Sequence, residues 1–305
     1  MPTLILHHYP MSPFSQKIRS MLGYAGLEWE SALTREMPPR PILEKLAGGY
    51  RKIPVAQIGA DVFCDSRIIA EEIALLSGKP ELALANCSPA TQAYVAKVDL
   101  EIFFDCIIGG GSRKLQKKMR EAMSLPDIIR FFWDRINLGR TAKVKTAGFR
   151  GMRERVLLHV ADVEQRLQAD FLGGDRPDHS DFSTWHSLWF IRDLGESRMI
   201  NPYPKVMAWM DRMKAFGEGS RREISGEQAL VTARAATPRA IPDELRKDAL
   251  IGHKVSIVPA DYARLPTKGI LVGASANRWI VAREEKDVGT VHVHFPRDGF
   301  FLKEI

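Results

Sequence analysis

The first residue in this sequence whose type and setting could do chemistry is a serine in a proline-rich loop. Ser12 lies within Tyr9-Pro10-Met11-Ser12-Pro13-Phe14-Ser15-Gln16-Lys17, between a short apolar run, Leu4 to Leu6, and a helical pattern from Ser15 to Tyr24. In an open α/β sheet such a helix start gathers anions, because its free amides and positive dipole end face the crevice beyond the strand. A thiolate placed there would be stabilised, and the Ser12 hydroxyl could donate to the sulfur, which lowers a thiol's pKa. Ser12 could equally do no more than cap the helix, since serine is a preferred N-cap. Two later groups stand out. Asp65-Ser66 precedes the helical pattern Ile68, Ile69, Ile73 and Leu76, where by itself it reads as a helix N-cap. Arg51-Lys52-Ile53-Pro54 puts two cations before a proline.

Other constellations carry less. Gly109-Gly110-Gly111 follows a helix and lacks the Lys-Ser/Thr ending of a phosphate loop, so it reads as a helix break. His292 and His294 share one strand face, but no third ligand stands at useful spacing, so they read as solvent-facing or partner-facing rather than metal-binding. His7 and His8 point to opposite faces of a strand. Residues 113–155 hold 13 Arg and Lys against 4 Asp and Glu, an excess of nine that exceeds the whole-chain net charge of +7. Phe131, Phe132 and Trp133 inside that stretch sit with Ile128, Ile129 and Ile136 at helical spacing, which reads as a buried stripe under a basic solvated face. Nucleic acid is therefore not the expected partner.

The elements that must position these residues alternate at first. Strand, helix, a weaker strand over Glu28 to Leu33, a short helix over Ile42 to Leu46, a hairpin around Gly59-Ala60-Asp61 and a helix from Ser66 make an α/β half-domain. From Pro89 to about Phe216 the pattern is helical, and Asp178 with Asp181 resembles a capping box before the apolar run Phe182, Trp185, Leu188, Trp189, Ile191. Residues 225–250, with Pro238 and Pro242, read as a linker or partly helical connector. After Gly252, β-branched and aromatic runs separated by turn residues predict a small antiparallel β-module. About 55 residues bury too little apolar surface to stand alone, so the module is expected to pack on the helical domain.

Ser12-Pro13-Phe14-Ser15, Arg51-Lys52-Ile53-Pro54 and Cys64-Asp65-Ser66, in that order and at those separations, together resemble the glutathione-binding half of glutathione S-transferases. More weakly, FLGGDRPDHSDFSTWHSLW resembles the family's central helix, with Asp181 on its structural Asp, so the resemblance spans roughly residues 1–215. It implies a thioredoxin-like N-terminal domain over 1–80 and an all-helical domain over 86–224, and the linker over 225–250 and the β-module over 251–305 follow them outside the resemblance. It also implies that Ile53, before a cis Pro54, pairs its backbone with the cysteinyl part of glutathione, that Asp65 and Ser66 hold the γ-glutamyl end, and that Lys52 contacts the glycyl carboxylate. Ser12 is the implied activating residue, with Tyr9 its rival. Asp65 replaces the commoner Glu, and Ser12 replaces the Cys of omega-like relatives, which excludes a mixed disulfide at that position. Tyr9, Met11, Phe14, Phe103 and Phe104 are the expected electrophile pocket. The β-module has no counterpart in ordinary members.

Composition fits an enzyme or a binding protein alike. The pI near 9.3 favours anionic partners without choosing one. Cys64, Cys87 and Cys106 are three and widely spaced, which suggests neither a disulfide framework nor a zinc site, and no metal is expected. The N-terminus lacks a signal-peptide pattern and no run approaches a membrane span, so a cytoplasmic protein is expected. The leading expectation is a glutathione transferase conjugating the thiol to a small hydrophobic electrophile, as a homodimer. The alternatives are a non-catalytic binding or regulatory protein of that fold, and a glutathione-dependent reductase or isomerase.

Overall fold

The computed structural model describes residues 3–122, 151–261 and 263–305. Its N-terminal part is thioredoxin-like. Strand β1 (Leu4–His8) runs parallel to β2 (Glu28–Leu33) and antiparallel to β3 (Val55–Ile58), which pairs in turn with β4 (Asp61–Cys64). Gly59, at φ 58°, lets the chain reverse between β3 and β4. Helix α1 (Pro13–Ala25) buries Ile18, Met21 and Leu22 completely and stops at Gly26, whose φ is 68°. The short helix α2 (Pro41–Ala47) precedes β3, and α3 (Ser66–Ser77) packs beside α1 with Ile68, Ile69 and Ile73 inward.

The helical part contains α4 (Pro89–Lys97), a π-helical turn over Val98–Ile102, α5 (Phe103–Gly109), α6 (Arg113–Ala122), α7 (Met152–Arg166), α8 (His179–Trp189) and α9 (Pro204–Ala215). The glycine triplet does end α5. Helix α8 is the centre, and the expected capping box forms: Asp178 accepts from its first turn, and Asp181 accepts from the Asp178 amide. Asp181 also accepts from the Leu172 and Gly173 amides and from Trp209 Nε1, so a buried carboxylate ties α8 to α9. Phe182, Trp185 and Leu188 share one core with Ile18, Met21 and Ile69, so α1, α3 and α8 bury a common surface. Each such side chain contributes about 1.5–3 kcal/mol by leaving water. Phe131, Phe132 and Trp133 lie outside the described residues.

The C-terminal segment departs from expectation in where it packs. Strands β5 (Ser220–Ile224), β6 (Lys254–Pro259), β7 (Thr267–Ala274), β8 (Arg278–Glu285), β9 (Gly289–Pro296) and β10 (Phe300–Glu304) complete a ten-stranded sheet in the order β10-β6-β7-β8-β9-β4-β3-β1-β2-β5. The module joins the thioredoxin-like domain rather than the helical one through β9, parallel to β4, and at the other edge β5, at the end of the stretch 86–224 expected as all-helical, lies parallel to β2. The physical reason is the sheet edge: β4 and β2 would otherwise expose unpaired amides and carbonyls, which another strand satisfies. The stretch 225–250, expected as a linker or partly helical connector, holds helix α10 (Gly226–Ala235), capped by Ser225 and Gln228 and packed on α2 and β9.

Buried charges fasten this junction. His294 is 3% exposed instead of facing solvent, and its Nε2 lies 2.8 Å from Asp61 Oδ1. Asp61 Oδ2 accepts from the Arg239 amide, while Glu72 accepts from both Arg239 and Arg278 at 2.7 and 2.8 Å. Glu71 takes the other Arg278 nitrogen at 2.7 Å. A strand pattern shows only that His294 alternates; its partner Asp61 is 233 residues away in sequence, so its burial was not legible there.

Candidate functional site

Three chain segments meet at one end of the sheet. Ser12 is 3% exposed and caps α1, its Oγ accepting from the Ser15 amide at 3.2 Å. The cap and the activating role are compatible, because capping uses an oxygen lone pair and leaves the hydroxyl hydrogen to donate. Among the described residues no acceptor takes that hydrogen. Arg19 braces the loop from below, donating to the Pro10 carbonyl at 3.0 Å and pairing with Glu218. Tyr9 is buried and its carbonyl accepts from the Ser12 amide at 3.2 Å.

The second segment carries a cis Ile53-Pro54 bond, with Ile53 half-buried and Pro54 buried. The third turns at Asp65, whose φ of 88° is uncommon for a residue with a side chain and marks a position held by its surroundings. Asp65 caps α3 by accepting from the Arg67 amide at 3.0 Å and also pairs with the Arg67 guanidinium. Burial alone would raise the Asp65 carboxyl, but Arg67, those hydrogen bonds and nearby Lys52 outweigh it and hold the pKa at about 2. Ser66 opens α3 at 8% exposure. The α3 amides and the fixed negative charge of Asp65 therefore suit a zwitterionic α-amino-acid group.

Lys52 is where the C-terminal extension enters. Its ammonium donates to both oxygens of Asp261, at 2.6 and 2.7 Å. Burial pulls the Lys52 ammonium down from its ordinary range although Asp261 opposes the shift. Arg67 likewise reaches Asp298 at 3.1 Å. Two turns of the β-module thus frame Lys52, Asp65 and Arg67, and nothing in the sequence before the fold links Asp261 to that group.

Among the five aromatic or apolar residues expected around an electrophile, Phe14 packs on Phe103 at 4.7 Å between ring centres, and Phe103 on Phe104 at 5.9 Å. Phe14 also lies 4.6 Å from the ring of His186, which sequence reading did not single out. Met11 is half-buried in the loop. A cavity of about 410 Å³ beside the loop is lined by other residues, chiefly Pro10, Gln16, Arg19, Leu33, Trp185 and Trp189.

Beneath Phe14 sits a buried ionic group. Lys17, with no exposed surface, donates to Asp99 Oδ2 at 2.8 Å, joining α1 to the π-helical turn. Asp99 Oδ1, Ser15 Oγ and His186 Nε2 are buried with no hydrogen-bond partner among the described residues. Burial brings His186 down to about 4, so its ring is neutral near pH 7. The signal for Lys17 was present: it lies four residues before Met21 on the buried face of α1, where a lysine needs a partner. Among the described residues no group of three His, Cys, Asp or Glu could hold a metal ion, and no helix is long and apolar enough to cross a membrane.

A thioredoxin-like sheet docked on a helical bundle, with Ser12 and Asp65 capping α1 and α3 at one end of the sheet, defines a class that known proteins share. Residues 6–81 match the family model for the glutathione S-transferase N-terminal domain. A GST-like protein from Pseudomonas syringae is 31% identical and superposes with a TM-score of 0.77 over 99% of each chain, so the likeness includes the β-module. FtsZ-localized protein A from Caulobacter vibrioides is 27% identical over 200 residues, which cover 63% of this chain and 78% of that protein. The chain belongs to the glutathione S-transferase family.

Proposed function

We propose that the protein is a cytoplasmic glutathione transferase in which Ser12 activates the glutathione thiol for conjugation to a small hydrophobic electrophile. The observation that carries this reading is the Ser12 hydroxyl, fixed by its own cap at the α1 N-terminus with its hydrogen uncommitted. Ile53 next to cis Pro54 offers backbone pairing to the cysteinyl unit, and Asp65 with Ser66 offers the γ-glutamyl end its counter-charge and amides. The thiolate is the nucleophile, and the hydrogen bond from Ser12 stabilises its charge. Phe14 and Phe103 supply apolar contact for the electrophile. A homodimer belongs to the same reading, and solution mass tests it.

Ser12→Ala is expected to raise the pKa of bound glutathione and cut turnover by a factor of about 10–100, the worth of one hydrogen bond to a charged group, with little change in glutathione affinity. Ultraviolet titration of the bound thiolate reads the first effect and a panel of electrophiles the second. Unchanged turnover removes Ser12 from the role.

A second reading is favoured by the likeness to FtsZ-localized protein A and by the Asp261 carboxylate resting on Lys52. Here the fold serves as a binding or regulatory protein. Absence of turnover across the panel, with stable capture of a protein partner by the full chain, would support it over the first. Reduction or isomerisation on the same site would show as thiol-dependent turnover without a conjugate.

A further inference from the structure

The C-terminal module changes what the site can hold, and this inference rests on the glutathione-binding reading. Lys52 stands one residue before Ile53, so a peptide-like thiol paired along Ile53, with its amino-acid head at Asp65 and Ser66, brings its opposite end to the Lys52 ammonium. A cation there selects a carboxylate. In this chain that place is taken by the protein's own Asp261, with both oxygens on Lys52 at 2.6 and 2.7 Å and the Lys52 side chain only 12% exposed.

Asp261 is held there by the sheet, since it belongs to the turn between β6 and β7. Thr267 Oγ1 at one end of that turn donates to the Ala47 carbonyl at 2.7 Å, and the Ala260 amide at the other donates to the Gly299 carbonyl at 2.8 Å. Close packing fixes the same contact: a Cβ on Gly49 would lie 2.3 Å from the Pro266 carbonyl oxygen. The Lys52 ammonium also sits over the Phe300 ring, 6.0 Å from its centre. A bound glycyl carboxylate would meet Asp261 as a like charge competing for one ammonium.

We infer that Asp261 is a specificity-determining residue: it occupies the carboxylate-binding place at Lys52, so the site prefers a γ-glutamyl thiol whose far end is uncharged, and glutathione must displace Asp261 to bind. The test compares glutathione with its glycyl monoethyl ester by calorimetric titration of the full-length protein, Asp261→Asn and Asp298→Asn. The expected result is that the unaltered protein binds the ester more tightly. Asp261→Asn should reverse the order, with glutathione gaining about tenfold, the worth of one charge-assisted contact. Asp298→Asn, which removes a neighbouring carboxylate from Arg67, should keep the original order. Tighter binding of glutathione by the unaltered protein, or an equal response to both variants, overturns the role of Asp261 while leaving the glutathione reading in place. Failure of all three proteins to bind either thiol overturns both.

Discussion

At the scale of single residues, the site depends on charges that survive burial only as pairs. Lys17 and Asp99 are the sharpest case, since Lys17 has no exposed surface, the Asp99 side chain is only 14% exposed, and Asp99 Oδ1 lacks a partner among the described residues. Burial would raise the Asp99 carboxyl, yet the Lys17 ammonium holds it below its ordinary value. Lys17→Met should therefore leave an uncompensated buried carboxylate and cost about 3–5 kcal/mol, while adding Asp99→Leu should restore most of the loss. Chemical denaturation of the single and double variants reads this directly. A single variant as stable as the parent would mean that water already reaches Asp99. The pair also sits under Phe14, so the loop carrying Ser12 is anchored to the helical domain by a charge, in addition to the apolar contacts of Phe14.

At the scale of elements, the sequence was most readable where a local rule forces the answer. Ser12, Asp65 and Asp178 were each legible as helix caps, and each caps its helix, because capping needs only a short polar side chain ahead of an apolar period. The strands of the module were legible from β-branched runs, but β10 was not, since Phe300 to Glu304 is short and ends in charges. What periodicity cannot reveal is the partner of an edge. That β9 lies on β4 and β5 on β2 depends on contacts across more than 190 residues, and helix α10 depends on β1 and β2 to bury Ala229 and on the core that includes α2 to bury Ala233. The link from Asp261 to Lys52 is hidden for the same reason. Gly49 is the one place where close approach between these elements can be tested simply. Its Cβ would strike backbone at Pro266, which cannot swing aside like a side-chain tip, so Gly49→Ala should cost about 1–3 kcal/mol by overpacking. An unfolding midpoint equal to that of the parent would mean that the β6–β7 turn moves freely away from Lys52.

At the scale of the whole molecule, the sheet and the shared core make the domains one cooperative body, and buried histidines make that body sensitive to acid. Burial brings His7, His159 and His186 down to about 4, and His8 and His179 to about 3; for His8 the Arg19 and Arg221 charges act in the same direction. They lie in β1, α7 and α8, so they report on both N-terminal and helical parts together. An unfolded chain takes up these protons near pH 6.5, whereas the folded one resists them until pH 4 or below. Between those values the unfolded state binds more protons, so stability rises with pH and is lost as pH falls from about 6.5 towards 4. Each histidine forfeits up to about 2 kcal/mol by pH 5, and several together approach the usual margin of about 5–15 kcal/mol. Acid unfolding is therefore expected with a midpoint between about pH 4 and 5, well above the range in which the Asp65 carboxyl, held at about 2, would begin to protonate. Far-ultraviolet circular dichroism and tryptophan fluorescence should follow a single transition, since Trp29, Trp185 and Trp209 are buried in the core shared by the two parts. Replacing His186 by Gln should shift the midpoint downward by removing one of the protons taken up. A midpoint below pH 3, where only the carboxylates remain to titrate, would mean that the histidines are hydrated in the folded protein.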